Sequence, residues 1–165
     1  MYSVGQTVLY GSNGICNIEE ITTKEISGMS IDYYVLKPLY SQNSTLFVPV
    51  NNEKLVSKIR NVLSSDEINS ILNNISECDE WIDNKIERID LFKNIISSGD
   101  CSQLIKLIRL IHSHEQLQIS RGKRLHISDE KCLREAEKMV CDEISLVLGI
   151  DRNSALDLVL SNREH

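Results

Sequence analysis

The chain has 165 residues, 41% of them hydrophobic and 25% charged, with a formal net charge of −6 and a pI near 5.2. This is the make-up of a soluble globular protein of one domain or two small ones. It excludes a membrane-spanning helix, since no apolar run approaches the ~20 residues required, and it excludes a protein that lives on phosphate contacts alone.

β-type sequence fills the first part of the chain. Val4, Val8 and Tyr10 fall on one parity, the period of a half-buried strand. Gly11-Ser12-Asn13-Gly14 is a turn, because Gly and Asn tolerate positive φ. Alternation restarts at Ile15, placing Cys16, Ile18 and Glu20 on one side. Glu25-Ile26-Ser27-Gly28-Met29 reads as a hairpin connection, and residues 31–39 are rich in tyrosine and β-branched side chains. Leu46-Phe47-Val48-Pro49-Val50 is a further strand, with Pro49 suited to an edge or an end. Four or five short strands in ~50 residues cannot bury both faces of a flat sheet, which predicts closure into a small SH3-like or Tudor-like β-barrel.

Near residue 60 the pattern changes to helical spacing. Ser64 with Glu67 forms a capping box, followed by Ile68, Ile71, Leu72 and Ile75. A second helix is expected from Glu80 to Ser97, its stripe running through Ile82, Ile86, Ile89, Phe92, Ile95 and Ile96, and ending at Gly99. Asp100 caps a third, with Leu104, Leu107, Ile108 and Ile111 buried. Residues 119–127 form a basic connection. Ser128-Asp129 opens a fourth helix that Gly149 stops, and Asp151 caps a short last one. The expected fold class is thus α+β: a barrel over residues 1–55, a linker over 56–63 and an all-α helical bundle over 64–165.

Charge is segregated. The first 65 residues carry five basic and five acidic side chains, so the negative excess lies in the helical part. Within that part, Lys106, Arg109, Arg121, Lys123 and Arg124 face a single Glu115 between residues 105 and 125, which can build a basic patch on an acidic body. The start of the chain lacks a basic region followed by an apolar one, and a cytoplasmic location is expected.

No catalytic motif stands out, no cofactor is implied, and an enzyme reading rests on nothing positive. The five cysteines, Cys16, Cys78, Cys101, Cys132 and Cys141, are scattered without a CxxC pair. Free thiols, several in the core, are expected, with no zinc site or disulfide framework. His112 and His114 are two apart on a helix and make poor joint metal ligands; they read as surface or boundary residues. His126 lies in the basic connection, within reach of phosphate. Trp81, the single tryptophan, sits among Asp79, Glu80, Asp83 and Asn84. Three readings stand open: a staple between the first two helices, an anchor for a protein partner, or a wedge at a base step, with Lys85 and Arg88 on phosphates beside it.

Together these residues resemble the CarD/CdnL transcription regulators. Val4-Gly5-x-x-Val8-x-Tyr10, Gly14-Ile15-Cys16-x-Ile18, Ile26-Ser27-Gly28 and Tyr33-Tyr34-Val35-Leu36 resemble their N-terminal module, which also occurs in the transcription-repair coupling factor; Val48-Pro49-Val50 matches its last β segment. Trp81 with Arg88, Ser98-Gly99-Asp100, Ser128-Asp129-Glu130 and Ala136-Glu137 resemble the helical domain. The helicase motifs of the coupling factor are absent. The resemblance implies that the β module docks on the RNA polymerase β subunit, at its lobe or protrusion, through Lys24, Phe47, Val48 and Pro49. It implies that the helical domain meets promoter DNA at the upstream edge of the melted bubble through Trp81, Lys85, Arg88, Arg121, Lys123 and Arg124, with Trp81 in the minor groove. Phe47 stands where the family commonly has a basic residue. Ile82, Asp83 and Asn84 follow the tryptophan where it is often strongly basic. A monomer is the simpler expectation. The alternative is a polymerase-docked protein–protein adaptor in which Trp81 is a core or interface residue.

Overall fold

The computed structural model describes residues 1–41, 43–76 and 79–161; Cys78 lies outside them. The chain divides into two compact units, Met1–Val62 and Leu63–His165.

The first unit is one antiparallel sheet of five strands in the order β4-β3-β2-β1-β5: β1 (Thr7–Tyr10), β2 (Ile15–Ile26), β3 (Met29–Pro38), β4 (Leu46–Pro49) and β5 (Ile59–Asn61). A single 3-10 turn, Gly11–Asn13, joins β1 to β2. Ser27 and Gly28, at φ +53° and +79°, form the two-residue turn between β2 and β3, with both residues in the left-handed region that a tight hairpin requires. The β2–β3 register slips between Ile18 and Glu20. Strict alternation would aim Glu20 at the core beside Ile18. The bulge moves it to the opposite face, where it pairs with Val35, and leaves Glu19 to meet Lys37 at 3.3 Å.

The sheet ends on β4 and β5, and no ladder joins those two edges among the described residues, where the sequence predicts a closed barrel. The reason lies in the segment between them. Asn52 accepts from Leu55 N–H and caps a one-turn helix, α1 (Glu53–Val56), which places Leu55 and Val56 against the core of Val8, Cys16, Ile18, Tyr34, Leu36, Val48 and Ile59. Tyr2 adds a second cover: its hydroxyl donates to Ile59 O at 2.7 Å and its ring meets Tyr34 edge-on. The open end of the sheet is thus covered by side chains rather than by strand pairing. The expected linker is partly structured as well, since Ile59–Asn61 pairs with β1.

The second unit holds five helices: α2 (Ser65–Asn74), α3 (Lys85–Ser98), α4 (Cys101–Ser120), α5 (Ile127–Leu148) and α6 (Arg152–Leu160). Local signals set most ends. Ser64 and Glu67 exchange both bonds of a capping box. Asp100 and Asp151 cap α4 and α6, and Gly99 and Gly149 terminate α3 and α5 in the left-handed conformation. The long α5 lies against each of the other four helices, and Leu133, Ala136, Val140 and Ile144 line its inner face. Four of the cysteines are free and buried, and burial pushes the Cys16 and Cys141 thiols up to about 11.

The start of α3 differs from the predicted one. Asn84 accepts from the N–H groups of Ile86 and Glu87, so the helix begins at Lys85 and residues 80–83 form a non-helical lead-in. Ile86 consequently leaves the predicted apolar stripe and is 83% exposed.

Candidate nucleic-acid interface

The lead-in to α3 carries Trp81, and the first turn of α3 holds it in place. Arg88 folds back so that Nη1 donates to Ile82 O (2.8 Å) and Asp83 O (3.2 Å). Its Nε and Nη2 donate to the two carboxylate oxygens of Asp129, each at 2.9 Å. Asp129 stands in the first turn of α5, where the helix dipole favours a carboxylate. The guanidinium therefore links the starts of α3 and α5 to the segment that leads into α3.

Trp81 is half-buried and packs on the edge of the helical core. Its ring lies flat on His114 of α4, with centroids 3.6 Å apart and planes 4° from parallel. It meets Phe92 of α3 at 65° and 5.9 Å, and the Arg88 guanidinium lies over it at 4.7 Å. The Gln118 amide N–H donates to His114 Nε2 at 3.0 Å. Desolvation lowers the pKa of His114, helped by the nearby Arg88 and Arg121 and opposed by Asp129 and Asp83. The imidazole beneath the indole is thus biased toward its neutral form.

Beside this stack opens a cleft of about 350 Å³, bordered by Trp81, Lys85, His114, Lys123, Arg124 and His126 among others. Gly122, at φ +69°, turns the chain sharply after α4, and Lys123 N–H donates back to Gln118 O. That turn sets Lys123 and Arg124, both exposed, across from the indole. The arrangement offers a packed aromatic edge beside exposed cations on an otherwise acidic body.

The sequence-predicted residues divide accordingly. Trp81, Lys85, Lys123 and Arg124 come together around the cleft; Arg121, the C-cap of α4, is exposed nearby without lining it. Arg88 lines the cleft but is only 2% exposed, and its donors are committed to Asp129 and two carbonyls. A phosphate has little left to bind there, so Arg88 is a scaffold for Trp81 rather than a backbone contact. His114, read from the sequence as a surface or boundary residue, lies under Trp81, and Gln118 and Asn84 join the site without having been singled out for it. The i,i+4 spacing of His114 and Gln118 and the position of Asn84 before Lys85 are local signals. Nothing in the sequence joins His114 to Trp81.

On the sheet unit, Lys24 and Phe47 meet. Lys24 Nζ sits 3.6 Å over the Phe47 ring, and Tyr33 meets that ring edge-on at 6.4 Å. Phe47 is 46% exposed. Pro49 ends edge strand β4, where its missing N–H costs no ladder bond. Val48, 1% exposed, points into the core and offers no side chain to a partner, because its neighbours Phe47 and Pro49 take the outer face.

Residues 2–61 match the CarD-like/TRCF RID domain family, and residues 68–160 match the CarD C-terminal domain family. The chain belongs to the CarD-like family. A Bacillus subtilis (strain 168) protein described as a candidate transcription factor, YdeB, is 25% identical over 152 residues, spanning 91% of this chain and 94% of that one. The two matched regions of this CarD-like chain fall within the two compact units, with Trp81, Lys123 and Arg124 all inside the C-terminal match. Among the described residues, no group of His, Cys, Asp or Glu is arranged to hold a metal ion, and no helix is long and apolar enough to cross a membrane.

Proposed function

We propose that this CarD-like chain is a transcription regulator that docks on RNA polymerase and stabilises the open promoter complex. RID domains interact with RNA polymerase, and the CarD-like family is one of transcription factors rather than enzymes. The sheet unit binds the polymerase β subunit through the Lys24–Phe47 surface and edge strand β4. The helical unit bears on promoter DNA at the upstream edge of the bubble. Trp81 enters the minor groove there, while Lys85, Lys123 and Arg124, with Arg121 beside them, contact phosphates.

The observation that carries this reading is the half-buried indole, fixed by Arg88, His114 and Phe92 at the rim of a cleft bearing three exposed cations. A wedge must resist being pushed back, and a ring already packed on its own protein does so without further ordering. The wedge binds melted DNA better than duplex, and only such a difference shifts the equilibrium. A preference of ~1.4 kcal/mol multiplies the open-to-closed ratio about tenfold.

The test separates docking from wedging. Trp81→Ala is expected to leave polymerase capture unchanged while losing the gain in signal from a fluorescent base analogue at the upstream edge of the bubble. An undiminished gain would remove the wedge.

A second reading is supported by one observation. Ile86 and Ile89 line a groove of about 620 Å³ beside Lys85 and Lys93, and Ile86 is almost fully exposed. In an adaptor, this face would bind a protein partner. Ile86→Asp would then abolish regulation while Trp81→Ala spared it; the wedge reading expects the reverse.

A further inference from the structure

Trp81 lies flat on His114, and His114 is itself fixed by Gln118 one turn further along α4. We infer that His114 is the positioning residue for the indole, and that it holds Trp81 in the wedge orientation as the neutral imidazole. This rests on the wedge role proposed above and adds the condition under which it operates.

The geometry dictates the condition. The Gln118 amide nitrogen is a donor only, so the ring Nε2 facing it must offer a lone pair. Protonation places N–H against N–H, so the bond in this form is lost and the Gln118 amide has to turn over to offer its oxygen. The charges facing the ring are nearly balanced. Arg88 on α3 is paired with Asp129 on α5, and Asp83 on the lead-in offsets Arg121 at the end of α4. The remaining charged and titratable groups around the cleft are Lys85, Lys123, Arg124 and His126; the first three are cations, of the sign that disfavours an imidazolium. A proton on His114 is therefore resisted by burial, by Gln118 and by the Arg88 and Arg121 charges. When it binds, the platform beneath the indole loses its fixed partner.

The linkage has a definite sign. His114 titrates in the folded protein below its ordinary value of about 6.5. Between the two values the unfolded chain binds more protons than the folded one. The contribution of His114 to the folded unit is complete above the unfolded value and is lost as pH falls through that window.

Trp81 is the single tryptophan, so its fluorescence reports on this stack directly. Emission from the full chain is expected to fall as pH is lowered from about 8 to about 5, with a midpoint below that of a free histidine. His114→Phe keeps a flat platform without a proton site and is expected to abolish the transition; His126→Phe is expected to preserve it. In the opening assay with polymerase, taken as the ratio with and without the protein at each pH, the gain should decline on acidification. With His114→Phe it should stay level. His114→Ala should lose at least half of the gain at neutral pH while its far-UV spectrum and polymerase capture are retained. A full gain with His114→Ala, or a fluorescence transition that survives His114→Phe, would overturn the inference. If Trp81→Ala also leaves the gain intact, the wedge reading fails instead; if Trp81→Ala abolishes it and His114→Ala does not, the platform alone fails.

Discussion

Arg88 and Asp129 are shielded from water, and their two charges meet through paired 2.9 Å bonds. Removing one partner leaves the other buried and uncompensated, which typically costs about 3–5 kcal/mol. Asp129→Ala is therefore expected to destabilise the helical unit by that order in denaturant unfolding. Arg88→Met combined with Asp129→Leu should recover most of the loss. A loss below ~1 kcal/mol for the single variant would show that water reaches the pair. Lys24 behaves differently because it is exposed. Its stacking on Phe47 is worth only about 0.5–1 kcal/mol. Lys24→Glu should leave the melting temperature nearly unchanged and weaken polymerase capture; undiminished capture would remove Lys24 from the docking surface.

At the scale of elements, the cap at Asn84 decides where Trp81 stands. It starts α3 at Lys85 and leaves the indole on an irregular segment before the helix rather than in a helical turn. Asn84→Ala forfeits the two cap bonds and is expected to cost about 1 kcal/mol. Trp81 fluorescence should shift with it, and an unchanged spectrum would mean that Arg88 alone fixes this segment. Gly149 ends α5 at φ +66° with open space around it, so Gly149→Ala pays only for the backbone conformation, about 1 kcal/mol. Elements of this kind were legible because their causes are local. Period-2 runs announced the strands, and Ser64, Gly99, Asp100, Gly149 and Asp151 marked helix ends. The unread parts depend on distant contacts. β5 is three residues whose strand character comes from pairing with β1, and α1 is a single turn whose role is to cover a core built elsewhere. Arg88 is indistinguishable from a surface arginine until Asp129 arrives from another helix, and the partner of Trp81 is a histidine that its own neighbours mark as ordinary.

At the scale of the molecule, a net charge of −6 has to be reconciled with DNA. The cations at the cleft are few and local, so the isolated protein should bind duplex weakly. In the function proposed above, docking on polymerase would convert the DNA contact into an intramolecular event with a high effective concentration. Each of Lys123→Ala and Arg124→Ala should reduce the salt slope of complex stability by about one, without a change in promoter preference. A loss confined to particular sequences would instead mean that these side chains read bases. Whether the indole opposes reannealing is measured most directly by open-complex half-life after addition of a competitor. The native protein should lengthen the half-life, and Trp81→Ala should return it to that of polymerase alone while remaining bound. A half-life prolonged equally by both proteins would contradict the account.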